Sequence, residues 1–257
     1  MSLRRPTAAG SLPLLSFSAV SKLQRDGGRE RVVLDSVCFD LHAGASLGVY
    51  GARRSGKSTL LRLAAGLDFP ERGSVRFEGR ELAGISGRER ARLLRGPLAL
   101  LSAEDWLPSP GETVMDHVAM SAGSGGMSLR EARRAALGAL DRVDAAGVCA
   151  EEMTVSLSSS LRARVLLARA LVREPRLLLV DEPAPLPSLL ERDGFRALLR
   201  AVTRERGIAL LVASEELSAL QGLAALASIS AGELCMAQEP GKVVELPRRR
   251  SGAGERR

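Results

Sequence analysis

Eight residues, Gly51-Ala52-Arg53-Arg54-Ser55-Gly56-Lys57-Ser58, constrain this chain more than any other feature. They fit the pattern G-x-x-x-x-G-K-[ST] and lie between a strand-like run, Ala45 to Tyr50, and a helical run from Ser58 through Leu67. A strand, a glycine-rich turn and a helix in that order aim backbone N–H groups and a helix N-terminus at one point, which suits a phosphate chain. In such a loop Lys57 reaches the β- and γ-phosphates, the Ser58 hydroxyl is placed for Mg²⁺, and Thr59 completes the segment. The competing reading, a Gly-Ser turn ahead of a helix, weakens once a second motif agrees with the first.

That second motif is Leu177-Leu178-Leu179-Val180-Asp181-Glu182-Pro183. Four aliphatic residues running into two carboxylates describe a parallel strand buried on both faces that delivers its acids at the C-terminal edge. Asp181 is expected to hold Mg²⁺ through water, and Glu182 to orient or deprotonate an attacking water. Alone, the segment is also a buried strand entering an acidic turn. Together the two motifs predict binding of ATP with Mg²⁺.

The chain has 257 residues, 45% apolar and 26% charged, which suits one large domain with a sizeable core. Its net charge of +7 resembles a nucleic-acid signal until it is located. Arg4 and Arg5 carry +2, and residues 247–257, with five arginines and Glu255, carry +4, leaving +1 between them. The basicity is therefore in the ends, free to touch anionic lipid, and no specific nucleic-acid partner is expected. Cys38, Cys149 and Cys235 are odd in number and widely spaced, with only His42 and His117 to help them, so neither a disulfide framework nor a zinc site is indicated. A reducing cytoplasm fits. The stretch after Arg4-Arg5-Pro6 lacks the apolar core of a signal peptide, and the Leu/Ala-rich run Leu217 to Ala227 is too short for a membrane span and is interrupted by Gln221.

Along the chain, residues 1–13 and 247–257 read as flexible basic ends. Strand-like runs at Leu14–Val20, Val32–Leu41 and Ser74–Glu78 surround the phosphate loop. Helical patterns follow at Ser86–Arg95, Met115–Ala122 and Leu129–Ala145, the last with Ser128 and Glu131 placed as a capping box. Glycines 123, 125 and 126 mark Ser121–Ser128 as a loop. A helix over Ser159–Val172, a strand at Arg176–Val180, a helix over Ser188–Arg206 and a strand at Ile208–Ala213 complete the reading. Strands alternating with helices of this length imply a parallel sheet covered on both faces.

The order of phosphate loop, helical insert, Leu157-Ser158-Ser159-Ser160-Leu161-Arg162-Ala163-Arg164-Val165, Arg169-Ala170-Leu171 and Leu177 to Pro183 resembles the nucleotide-binding subunit of an ABC transporter, over roughly residues 14 to 240. The segments Ala65 to Pro70, Gly73-Ser74-Val75 and Gly87 to Leu93 are similar to the lipoprotein-release and macrolide-export branch. The resemblance implies a P-loop NTPase α/β fold with a mostly parallel core sheet, an N-terminal antiparallel β subdomain and a helical subdomain over about 97–172, all within residues 14–246. It also implies a separate transmembrane permease as partner, a homodimer or heterodimer of nucleotide-binding subunits, and a place on the cytoplasmic face of the membrane.

Departures from the family pattern fall where the catalytic site is completed. The signature Leu-Ser-Gly-Gly-Gln is here Leu157 to Leu161, so Ser158 can still offer its hydroxyl to nucleotide on the opposite subunit. Ser159 and Ser160 restrict the close backbone approach that glycines allow, and the segment also reads as a capped helix entrance. The family's glutamine falls at Ser102 counted from Leu107-Pro108, or at Glu104 counted from Thr113-Val114. The switch histidine falls at Ser214, the acid that helps join the dimer is missing from Pro185-Leu186-Pro187-Ser188, and the base-stacking aromatic is replaced by Leu23 or Gln24. Trp106, in the loop after Ser102, reads equally as a docking contact or as local packing. Losing the histidine alone costs on the order of 10² to 10³ in rate.

Three functions are consistent with these residues: a transporter ATPase with impaired or partner-dependent turnover, a pseudo-ATPase that binds ATP as a regulatory subunit, and a DNA-repair or chromosome-structure ATPase. About 100 residues between Lys57 and Ser158 leave no room for a long coiled-coil arm, which disfavours the third.

Overall fold

The computed structural model describes residues 12–26, 29–102, 106–123, 127–182, 186 and 188–237. The basic ends expected at 1–13 and 247–257 lie almost wholly outside the described residues, as does Glu104.

A six-stranded sheet organises the molecule. In chain order its members are β3 (Ser46–Tyr50), β6 (Leu98–Ser102), β7 (Leu177–Asp181), β8 (Ala209–Ser214), β9 (Ala225–Ser230) and β10 (Glu233–Met236). In space they run β10-β9-β3-β8-β7-β6, parallel except for the β9–β10 hairpin at one edge. Leu178, Val180, Leu210 and Val212 enter one core, and Leu177, Leu179, Ala209, Leu211 and Ala213 enter the other. Period-two alternation thus gives each central strand two buried faces, so both faces read as apolar in sequence.

The second sheet is antiparallel: β1 (Leu15–Asp26), β2 (Arg29–Leu41), β4 (Arg72–Phe77) and β5 (Arg80–Glu81), in the order β2-β1-β4-β5. It shares a core with α1 (Lys57–Ala64), whose Leu60, Leu61 and Leu63 are buried beside Leu15, Phe17, Val75 and Phe77. α2 (Gly87–Leu94) lies between β5 and β6 and starts at a capping box of Ser86 and Glu89. The opposite core packs α3 (Val114–Gly123), α4 (Leu129–Arg142), the short α5 (Ala146–Cys149), α6 (Ser159–Leu171) and α7 (Leu189–Glu205) against the sheet or one another. The capping box of Ser128 and Glu131 is present as expected, and Ser188 with Glu191 forms another at α7.

Several expected boundaries shift. α1 ends at Ala64 rather than Leu67, because Gly66, at φ 65, turns the chain. α4 stops at Arg142, where Asp144 takes φ 52. Sequence patterning passes over β6, because the short run Leu-Ala-Leu-Leu does not separate strand from helix. It also passes over β9 and β10, joined by Ala231-Gly232 at φ 51 and 87, the left-handed pair a two-residue hairpin needs.

The long β1 strand is broken at a bulge between Phe17 and Val20, where Ala19 adopts φ 49 and its N–H donates to Cys38 Sγ at 3.1 Å. Gly73, at φ 79, passes directly against this bulge, and a Cβ there would collide with the carbonyl oxygens of Ser18 and Ala19. Gly73→Ala is therefore expected to lower stability by about 3 kcal/mol in urea denaturation, through backbone clash plus left-handed strain. An unchanged midpoint would show that the bulge yields freely.

Candidate functional site

The register of the parallel strands collects polar residues at one edge. Ser102 ends β6 opposite Asp181, Asp181 ends β7 opposite Ala213, and Tyr50 ends β3 opposite Ser214 of β8. Both buried faces demand apolar side chains, so polar groups are admitted where the strands run out. The phosphate loop follows β3 at this same edge, and an open cleft of about 1120 Å³ lies along it. Residues 53–59, Ser102, Asp181, Glu182 and Ser214 all line that cleft.

The loop is a tight cradle. The Gly51 N–H donates to the carbonyl of Ser214 at 3.2 Å, tying the loop to β8. Gly51 lies so near β9 that a Cβ would stand 2.8 Å from the carbonyl oxygen of Ile229. Gly56 caps α1 at φ 107, and a Cβ there would come within 2.7 Å of the Val33 carbonyl oxygen. Only glycine meets both demands. Arg54, at φ 61, carries the turn between them.

Lys57 is buried, at 5% exposure. Its ammonium donates to the carbonyls of Gly51 and Ala52 at 2.8 and 2.9 Å and lies 3.8 Å from Glu215 Oε1. Ser55 Oγ is buried in the same loop with no hydrogen-bond partner among the described residues. A cradle of backbone with a central cation and an unfilled hydroxyl is suited to an anion with several oxygens. Ser58 and Asp181, an oxygen donor and a carboxylate on facing elements of the cleft, have the hard-ligand chemistry of a Mg²⁺ site. Among the described residues no cluster of three or more His, Cys, Asp or Glu is grouped to hold a metal.

Glu182 is held by the elements around it. Its backbone takes φ 46, and its N–H donates to the Ala213 carbonyl at 3.0 Å. The Ser214 hydroxyl donates to Oε2 at 3.2 Å, and the Glu215 N–H to Oε1 at 2.6 Å. Burial pushes its carboxyl above the ordinary value, while those two donors and Lys57 pull it down and Glu215 adds to the rise. The serine at the switch position therefore bonds directly to the carboxylate expected to handle water.

Of the other expected positions, Ser102 lies on the cleft, whereas Glu104 is outside the described residues. Gln24, not Leu23, lines the cleft at the position of the missing aromatic; the Leu23 N–H is bound to Glu71. Ser158 is not in this cleft. It caps α6, accepting the Leu161 N–H at 3.3 Å, on the exposed helical side. Trp106 packs locally: its ring lies 5.2 Å from that of the buried His117, with the Arg162 guanidinium 5.9 Å above it. His117 in turn meets Glu112 at 3.0 Å, so the segment after β6 is joined to α3 and α6. Glu215 and Arg31 were not singled out by patterning, since neither belongs to a motif; only its place directly after Ser214 signals Glu215.

A glycine cradle at the end of β3, facing acids at the end of β7 in a parallel sheet, defines a P-loop nucleotide-binding protein. The family model described as "ABC transporter" matches residues 34–185, and the chain belongs to that family as an ATP-binding subunit. The chain is 34% identical to a lipoprotein-releasing system ATP-binding protein of Nitratidesulfovibrio vulgaris, over 87% of its length and 95% of that protein's. It is 31% identical to the protein of that name from Pseudomonas fluorescens, over 86% and 96%. It is also 34% identical to an aliphatic sulfonates import ATP-binding protein of Burkholderia cenocepacia, over 83% and 72%. Among solved structures, the fold matches a dimeric ATP-binding cassette in a post-hydrolysis state bound to ADP and Pi, with TM-score 0.77 at 23% identity, covering 86% of this chain and 96% of that one.

Because the Ser214 donor favours the carboxylate form of Glu182, Ser214→Ala is expected to raise the Glu182 pKa still further. Carbon-13 NMR titration of the labelled glutamate carboxyl reads this directly, and a midpoint that stays put or falls would exclude the hydrogen bond in solution.

Proposed function

We propose that this chain is the motor subunit of an ABC export system. It docks on a separate permease at the cytoplasmic face of the membrane and couples ATP binding and slow hydrolysis to transport. The observation that carries this reading is the buried Lys57, held in the glycine cradle across one cleft from Asp181 and Glu182. The lipoprotein-releasing relatives align over nearly their whole length, which supports export, whereas the sulfonate import relative aligns over 72% of its own. Among the described residues no helix is long and apolar enough to cross a membrane, so a transport role requires a membrane partner.

In this reading the loop N–H groups that follow Gly51, whose own N–H is committed to Ser214, bind the phosphates together with the Lys57 ammonium. When ATP enters, Lys57 exchanges the Gly51 and Ala52 carbonyls for phosphate oxygens. Ser58 and Asp181 hold Mg²⁺, which neutralises phosphate charge when bound. Glu182 accepts a proton from water or orients it, after its carboxylate leaves the Ser214 hydroxyl and the Glu215 N–H. Ser158 serves the nucleotide of the opposite subunit, consistent with its absence from the residues that line this chain's own cleft. The surface after β6 meets the permease, a reading supported by Leu107, 80% exposed beside the packed Trp106.

A second reading, an ATP-binding regulatory subunit without turnover, is favoured by one observation. The switch position carries a hydroxyl that bonds Glu182 and brings no positive charge to the phosphates. Single-turnover hydrolysis of labelled ATP with Mg²⁺ separates the two. The motor reading expects measurable product that falls at least about 10²-fold in Glu182→Gln with ATP binding retained. It also expects the rate to fall as pH drops through the Glu182 pKa, which burial raises above the ordinary carboxylate value, because protonation removes the base. Binding with no product supports the regulatory reading, and loss of neither binding nor hydrolysis in Lys57→Ala would overturn both.

A further inference from the structure

Away from the phosphate loop, one end of the cleft is walled by the antiparallel sheet. Gln24 on β1 and Arg31 on β2 are direct register partners, and both line the cleft together with Val33. Directly opposed residues share a face of a sheet, and so do residues two apart on one strand. The three side chains therefore form one surface. It abuts the phosphate loop, because the Val33 carbonyl oxygen is the atom nearest to where a Gly56 Cβ would stand. Arg31 is exposed, and its Nη2 donates to the Arg54 carbonyl at 3.0 Å, which ties the guanidinium to the tip of the loop.

A nucleotide whose phosphates fill the loop must lay its base against some wall of this cleft. Among the described lining residues the one aromatic ring is Phe195, and it is buried in the core on the other side of the parallel sheet. Val33, by contrast, belongs to the core shared by α1 and the antiparallel sheet. At this end Arg31 is an exposed planar group, and unlike the loop's Arg53 and Arg54 it stands on the sheet surface that carries Gln24 and Val33. Such a group is delocalised and weakly hydrated, and it stacks on aromatic faces. Its hydrogen bond to Arg54 fixes its orientation in advance, so little freedom is lost when a base arrives.

We propose that Arg31 stacks its guanidinium on the purine base of the nucleotide, with the Gln24 amide at the base edge, in place of an aromatic side chain. This rests on the reading of the cleft as an ATP site. Gln24 offers both a donor and an acceptor to the edge, while Arg31 supplies the face. The rival role for Arg31, a counter-charge for phosphate, makes a different demand: it needs only the charge and not the plane.

Calorimetric titration of the full chain with ATP and with inorganic tripolyphosphate, both with Mg²⁺, distinguishes these roles. Arg31→Ala and Arg31→Lys are each expected to weaken ATP binding about fivefold to thirtyfold, equivalent to about 1–2 kcal/mol. Tripolyphosphate affinity should be unchanged in both, and Arg31→Tyr should recover ATP affinity. Equal losses for the two ligands in Arg31→Ala, retention of ATP affinity in Arg31→Lys, or no loss in either variant would overturn the proposal. A wild-type chain that binds tripolyphosphate as tightly as ATP would overturn it alone. One that binds neither ligand would overturn the ATP reading and this proposal together.

Discussion

Burial of the central strands on both faces sets the rest of the structure. β7 and β8 are apolar up to their last residues, Asp181 and Ser214, because α1 and the antiparallel sheet cover one side and the α3–α7 layer covers the other. Polar side chains have no place along such a strand without unmatched desolvation, so they gather at its end. Ser102, Asp181 and Ser214 reach one edge for that reason, and the phosphate loop leaves β3 at the same edge. Gly48 shows how tight the packing is, since a Cβ there would come within 2.8 Å of Leu226 Cδ2.

At that edge the charges are arranged in mutual dependence. A buried ammonium is tolerable when its protons are matched, and Lys57 has two carbonyls and Glu215 to match them. Glu182, partly desolvated, is kept from protonating more readily by donors from Ser214 and Glu215. The segment after β8 thus touches both the cation and the carboxylate. Movement of that segment would change the surroundings of both groups at once. The Ser214 hydroxyl and the Glu215 N–H leave the Glu182 carboxylate well bonded.

Much of this was legible in the amino-acid order. The glycine-rich loop, the aliphatic run ending in Asp181-Glu182, and Ser128 with Glu131 are local patterns whose physics is contained in a few neighbouring residues. The strands β6, β9 and β10 were not legible. Their runs are short, rich in leucine and alanine, and stabilised by partners far along the chain rather than by local preference. The same limit applies to the end of the cleft walled by the antiparallel sheet, where counting does not separate Leu23 from Gln24 and gives no reason to consider Arg31.

By itself the sequence determined that a phosphate cradle follows β3 and that two acids end a buried strand, because backbone torsion at glycine and the burial pattern are properties of adjacent residues. Tertiary structure alone decided which side chains meet across elements. The β1–β2 register put Gln24 and Arg31 on one face, and parallel pairing put Ser102 opposite Asp181. The Ser214 hydroxyl reached Glu182 through the fold, and Ser158 stayed outside the chain's own cleft. Such encounters depend on strand register and on packing between distant segments, where a shift of one residue turns a side chain to the other face of its sheet.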